Sequence, residues 1–358
     1  MNSQISKGKK IRVLAASMTL AGTIVASAIA TNSAADALVK PTTFKVALIG
    51  DMPYDDLGRQ QAPNVISDIN KSNVSFALFD GDTMSGKNSE CTDAAYPAIK
   101  TSFFDKFNKP VFYSVGDNEW ADCDRPSKGA FDPNSRLALV RSTFFGSLGG
   151  YISLGKQNTA IKVEHDPNYP ELTMFTYRKI TFILPHVPGS ANNASVTAPK
   201  KVYNDLDTDG DESEYKARDA ANVAWINKGF QVATTKKSLG IVVVLQANMD
   251  WEGYLAQNKE YTAAYDNVKQ ALLTNTLAFK KPVLLQNGDD HWFQMDMPMN
   301  ETNGKLVQRD KGLLVANFTR VQTFGNGFNH WVELTIDPKN PLLWTITPKL
   351  VAANLSAH

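Results

Sequence analysis

Short apolar runs, rich in β-branched and aromatic residues, recur along this chain, and each stops at turn-forming residues. Residues 44–49, 74–79, 110–115 and 282–285 are such runs, and their length and flanks predict strands buried on both faces. Residues 60–71, 94–107 and 134–145 place apolar side chains at helical spacing after the first three. Residues 150–185 predict a strand meander with pieces at 162–164, 172–177 and 180–184. A long amphipathic helix at 214–235 follows, then a strand at 241–245 and a helix at 260–279. The tail returns to strands at 313–319, 331–336 and 343–348. Alternating strand–helix units that close on antiparallel strands predict a mixed α/β (α+β) fold, with two packed mixed sheets flanked by helices. No linker-like segment or solenoid-length repeat interrupts the pattern, so residues 40–355 are expected to form a single domain.

Four of the runs end in, or just before, the pair Gly-Asp: Gly50-Asp51, Gly81-Asp82, Gly116-Asp117 and Gly288-Asp289. Glycine permits a sharp turn, and in helix-covered sheets ligands collect beyond the carboxyl ends of the strands. Four carboxylates at equivalent ends would repel one another unless a cation lay between them. The bland alternative, turn-forming or helix-capping aspartates, has to recur by chance at four strand ends. The pattern therefore points to a metal site. A fifth group, Gln246-Ala247-Asn248, follows the run at 241–245, and His291 follows the last Gly-Asp.

The termini and charge narrow the setting. Lys7, Lys9, Lys10 and Arg12 precede an apolar stretch to Ala30, the form of a signal peptide cleaved near residue 30 or as late as residue 37. Four of the 37 basic residues lie in that segment, so 33 remain against 36 acidic ones, a net charge of −3. That balance excludes a nucleic-acid footprint. No later stretch is long and apolar enough to span a bilayer, so the mature chain is expected to be secreted or periplasmic. Cys91 and Cys123 follow the second and third Gly-Asp turns. In an exported chain they are expected to pair if those strands are neighbours; two buried thiols are the alternative.

In order, the motifs are Asp51-Met52-Pro53, Gly81-Asp82, Gly116-Asp117-Asn118-Glu119, Gln246, and Gly288-Asp289-Asp290-His291. Over residues 44–295 this series resembles the calcineurin-like metallophosphoesterases, and looks closest to a divergent exported branch of that superfamily. The resemblance implies a four-layer sandwich and a pair of metal ions that hold a small phosphorylated substrate and activate water against it. Asp51, Asp82 and His291 would hold one ion, and Asp82, Asp117, Gln246 and Asp289 the other. Glu119 would brace the third turn, and Tyr54, Trp120 and Asn248 would lie around the pocket. Several histidines of the pattern are replaced. Proline stands at position 53, and oxygen donors stand at 117, 246 and 289, which favours Mn²⁺, Mg²⁺ or Ca²⁺ over Zn²⁺. Asn118 occupies the place of the histidine that would protonate the leaving group, and His186, just past a strand, is a substitute candidate.

Two readings of function follow. One is an exported metal-dependent phosphoesterase acting on a phosphate mono- or diester. The other is a catalytically inactive relative that keeps the fold and a binding or structural role. A separate calcium loop is weighed at Asp205, Asp207, Asp209 and Asp211. Its last position carries Lys216 instead of the bidentate acid, so the alternative is a solvated loop whose acids favour the next helix. Glycosylation sequons occur along the chain, among them Asn317 inside the strand predicted at 313–319.

Overall fold

A computed structural model describes residues 42–87, 90–146, 152–196, 210–253 and 259–355. The expected signal peptide and the first three acids of the calcium-loop candidate lie outside those residues. Chain order gives strands β1 (Phe44–Ile49), β2 (Phe76–Phe79), β3 (Pro110–Tyr113) and β4 (Leu154–Gly155). The middle of the chain supplies β5 (Val163–His165), β6 (Thr173–Tyr177), β7 (Ile180–Leu184), β8 (Gly240–Val244) and β9 (Val283–Asn287). The remainder are β10 (Gln294–Asp296), β11 (Asn300–Thr302), β12 (Lys305–Val307), β13 (Leu313–Leu314), β14 (Phe318–Gln322), β15 (Trp331–Ile336) and β16 (Trp344–Lys349).

The strands form two large mixed sheets. One has the order β16-β15-β1-β2-β3-β4, the other β10-β14-β9-β8-β7-β6-β5, and β12-β11-β13 make a small third sheet. β1, β2 and β3 are mutually parallel, as are β7, β8, β9 and β14. Period-two alternation explains how the sheets stack. Val46, Leu48, Phe76 and Leu78 of the first sheet meet Phe182, Val242, Val244 and Leu284 of the second in a shared core. The intervening residues Ala47, Ile49, Ala77 and Phe79 face Ala62, Val65 and Ile69 of helix Asp56–Lys71. On the far side, Ile241, Val243, Val283 and Leu285 pack on Trp225, Ile226, Phe230 and Leu272 of helices Glu212–Thr235 and Asp266–Phe279. The result is helix, sheet, sheet, helix: a mixed α/β sandwich. Strands buried on both faces have no polar side to show, which is why they are continuous apolar runs in the sequence.

Differences from the predicted elements cluster where side chains leave the regular pattern. The helix expected at 260–279 breaks into Lys259–Ala263 and Asp266–Phe279. The break sets Tyr265, fully buried, so that its hydroxyl donates to Pro188 O and accepts from Asn192 N. The expected strand at 313–319 splits: β13 joins the small sheet, and β14 pairs with β9 and β10. Asn317 sits at that break, ahead of β14, donating to Thr276 O and Lys281 O. Asp211 caps helix Glu212–Thr235 by accepting from Ser213 N and Glu214 N. Cys91 and Cys123 form a disulfide, with a Cα–Cα distance of 5.8 Å, linking the chain after β2 to the chain after β3. Among the described residues no helix is long and apolar enough to cross a membrane.

Candidate functional site

Parallel alignment brings the ends of β1, β2 and β3 side by side, and the facing sheet brings up β8 and β9. Asp51, Asp82 and Asp289 follow at positive φ, 51°, 60° and 80°, a conformation uncommon outside glycine and tolerated by aspartate. The turns interlock: Asp51 N donates to Gly81 O (2.9 Å), and Asp289 N donates to both Asp51 carboxylate oxygens (3.1 and 3.2 Å). Tyr54 Oη lies 2.8 Å from Asp82 Oδ2 and 3.2 Å from Asp51 Oδ1. His291 Nε2 is 3.6 Å from Asp51 Oδ1, with its ring edge-on to Tyr54. A Cβ added at Gly189 would lie 2.7 Å from Asp117 Oδ2 and 2.9 Å from Asp289 Oδ1, so these two carboxylates flank one glycine. Asp51, Asp82, Asp117, Asp289 and His291 therefore converge.

They lie at and beside a cleft of about 410 Å³ lined by Tyr54, Asp82, Asp117, Asn118, Asp289 and His291, and on its other wall by Lys87, Asp122, Arg125 and Ser190. Asp82 and Asp289 have carboxyls held well above the usual range, chiefly by burial and then by neighbouring carboxylates, Asp117 first in each case. Asp51 is raised by burial and then by Asp80 and Asp289. A cluster of this kind takes up protons or a cation.

The supporting residues are placed with equal definition. Glu119, fully buried, accepts from Asp82 N (3.0 Å) and Gly116 N (3.3 Å) through one oxygen, and from Thr83 N through the other. Asn118 Nδ2 donates to Asp82 Oδ2 (2.9 Å) and Tyr54 Oη (3.0 Å). Asn248 N donates to Asp289 Oδ2 (3.1 Å), and its side-chain amide reaches Gln322. Gln246 Nε2 donates to Asp82 Oδ2 (3.1 Å) and Asp289 Oδ1 (3.3 Å). Its oxygen accepts from Gly189 N, which fixes the amide's orientation, since the flipped form would set two donors against each other.

Two expected pocket residues lie elsewhere. His186 is fully buried; its Nδ1 contacts Glu171 Oε1 at 3.1 Å, and burial lowers its pKa to about 4. Trp120, also fully buried, packs edge-on to His186 and under the Arg218 guanidinium. Neither lines the cleft. Four further residues matter here. Asp80, fully buried behind Gly50 and Gly288, has its carboxyl pushed up to about 8 by burial. Lys128 Nζ, in the core, donates to Ser85 O and Asn118 O (both 2.7 Å) and ties two of the loops together. Asp122 pairs with Arg125 (2.7 Å), and Ser190 Oγ lies 2.7 Å from both Asp117 Oδ2 and Asp122 Oδ1.

In kind and number the donors suit a hard divalent cation: buried carboxylates that raise one another's pKa, and a buried Asp117 Oδ1 with no hydrogen-bond partner. In placement they are not closed: among the described residues, no three His, Cys, Asp or Glu side chains are grouped to hold one ion. Asp82 Oδ2 is instead occupied by protein donors, accepting from Tyr54, Asn118 and Gln246 together.

No protein-family model matches this chain, and no curated protein matches it. Among solved structures it is similar to GAP50, the anchor in the inner membrane complex of Plasmodium. The two share 14% identity over 86% of this chain and 89% of that one, with a TM-score of 0.42. A likeness at that level carries no argument about this protein.

Proposed function

We propose that this protein is an exported, divalent-cation-dependent phosphoesterase of the calcineurin-like type, acting on a small phosphate ester in the cleft. The observation that carries the reading is the convergence of Asp51, Asp82, Asp117 and Asp289 from four strand ends, with Lys87 and Arg125 placing positive charge on the wall beside them. Asp51, Asp82 and His291 on one side, and Asp82, Asp117 and Asp289 on the other, are the residues that would hold the cation. Bound there, it would polarise the phosphoryl oxygens and supply a nucleophile at neutral pH. The chain's own residues do the rest. Glu119 and Asn118 hold Asp82 in place, Tyr54 spans Asp51 and Asp82, and Arg125 and Lys87 attract the anionic ester. Asn118 donates hydrogen bonds but no proton, so leaving groups that need little protonation are favoured, aryl phosphates over alkyl ones.

A second reading, an inert relative with a binding role, is favoured by one specific observation. Gln246 turns its NH₂ group, not its oxygen, toward Asp82 and Asp289. One experiment separates the two: bound metal is measured on the purified protein, and p-nitrophenyl phosphate and its bis-ester are assayed with Mn²⁺, Mg²⁺, Ca²⁺ and Zn²⁺. Turnover lost in both Asp82→Ala and Asp289→Ala supports the phosphoesterase. Less than one equivalent of metal and no turnover with any ion favours the inert relative.

A further inference from the structure

The methionines of this chain are placed unequally. Met52, Met84, Met174, Met249 and Met299 are buried, none more than 2% exposed, whereas Met295 and Met297 are 56% and 45% exposed. Met295 lies in β10, the last strand of the seven-stranded sheet, and Met297 directly follows it.

The register of β10 holds them there. Paired residues on antiparallel strands project to the same face. Asp296 lies opposite Arg320, and Met295 opposite Val321. On the first face Arg320, with no solvent exposure, grips the Asp296 carboxylate twice, Nε donating to Oδ1 (2.9 Å) and Nη2 to Oδ2 (2.8 Å). Arg309 pairs with the same Oδ2 at 3.0 Å, and Gln294 donates to it at 3.2 Å. On the other face Val321 is fully buried in the core shared by the two large sheets, yet its neighbour Met295 is more than half exposed. The apolar layer between the sheets thus opens to solvent at β10, and a thioether stands in the opening. Slipping the strand by one residue would carry methionine to the Arg320 face and Asp296 away from it. Breaking a buried bidentate pair makes that slip costly.

An oxidant of the peroxide class can give a thioether one oxygen atom. A sulfur lone pair attacks one oxygen of hydrogen peroxide, the S–O bond forms as the O–O bond breaks, and the second oxygen leaves as water with both protons. Sulfur loses two electrons, the peroxide gains them, and the product is a polar sulfoxide. In the core a sulfoxide disrupts packing. At 295 and 297 it meets water, and the strand beneath is held by Arg320 and Asp296. We infer that Met295 and Met297 are a modification site, each taking one oxygen atom from hydrogen peroxide while the fold stays intact. A methionine sulfoxide reductase restores the thioethers: two of its thiols become a disulfide, and the oxygen leaves as water. The inference is independent of what the cleft binds.

The purified full chain is exposed to graded hydrogen peroxide, with peptides mapped by mass spectrometry and thermal melts followed in parallel. Met295 and Met297 are expected to convert at least about 10-fold faster than any of the buried methionines, whose oxidation waits on opening of the core. Tm is expected to stay unchanged, and a mixture of the reductases for both sulfoxide epimers to remove both oxygens. Under conditions that fully convert the wild-type pair, Met295→Leu/Met297→Leu should take up no oxygen. Oxidation of a buried methionine at a comparable rate overturns the inference. So does a Tm that falls when only Met295 and Met297 are modified, or a sulfoxide that the reductases leave in place.

Discussion

Gly189 offers the most direct perturbation of the site, because the cost of filling it follows from distances. A methyl group there would meet Asp117 Oδ2 at 2.7 Å and Asp289 Oδ1 at 2.9 Å. Ordinary carbon–oxygen contact begins near 3.4 Å, so each carboxylate must recede by about 0.5–0.7 Å. Both are held against such movement, Asp117 by Ser190 and Asp289 by Asn248 N. Overpacking of a fixed site costs about 1–3 kcal/mol, which for a domain of this size lowers Tm by about 2–6 °C. A displacement of about 1 Å at a reacting centre typically costs about 10²-fold in rate, so a shift of half that size should cost about 10-fold. Gly189→Ala is therefore expected to melt several degrees lower and to hydrolyse p-nitrophenyl phosphate about 10-fold more slowly at saturating Mn²⁺. Differential scanning fluorimetry and steady-state assays read the two effects independently. A variant with unchanged Tm would show that Asp117 and Asp289 do not flank Gly189 as described; lowered Tm with unchanged turnover would show that those carboxylates are not part of the chemistry.

Two further expectations concern stability. The disulfide closes a loop with a sequence separation of 32, which by the chain-entropy relation contributes about 3.7 kcal/mol. The double variant Cys91→Ala/Cys123→Ala should lose most of that in urea unfolding, and a loss below about 1 kcal/mol would count against a bridge formed in solution. His186 gives a pH dependence whose sign is set by burial: the folded imidazole resists protonation down to about pH 4, while the unfolded one protonates near 6.5. Below pH 6.5 the unfolded state binds more protons, so stability falls as pH drops from 6.5 toward 4, by about 2 kcal/mol at pH 5 relative to pH 7. Glu171, which hydrogen bonds from His186 and Arg141 hold low against the upward effect of its burial, pushes the same way only below about pH 4.5. Urea midpoints at pH 7 and pH 5 test this, and an equal slope in His186→Phe would refute the assignment to His186.

The candidate site was legible wherever a backbone signal accompanied the chemistry. Asp51, Asp82, Asp117 and Asp289 each sit beside a glycine after an apolar run, and parallel pairing of β1 with β2 and β2 with β3 carries the first three to one edge. Ser190 had no such signal, since nothing in Pro-Gly-Ser-Ala-Asn-Asn marks a run of positive φ that distant groups such as Arg218, Tyr265 and Glu214 hold in place. Lys128 carries no local signal either, yet its ammonium is enclosed and spent on two carbonyls. His186 misled in the opposite direction. A histidine just past a strand faces either the cleft or the core, and the partner that decided it, Glu171, comes from a separate part of the chain.

The primary structure by itself determined the succession of strands and helices, the two-sided burial of the central strands and the acidic turns at their ends. These follow from hydrophobic period and turn chemistry, which act over a few residues. Only the tertiary structure decided which way the Gln246 amide faces, that Trp120 and His186 belong to the core, and that Ser190 reaches Asp117. Each depends on groups from 15 to 164 residues apart in the chain, brought together by strand pairing and by the stacking of the two sheets, and no local pattern encodes a contact of that kind.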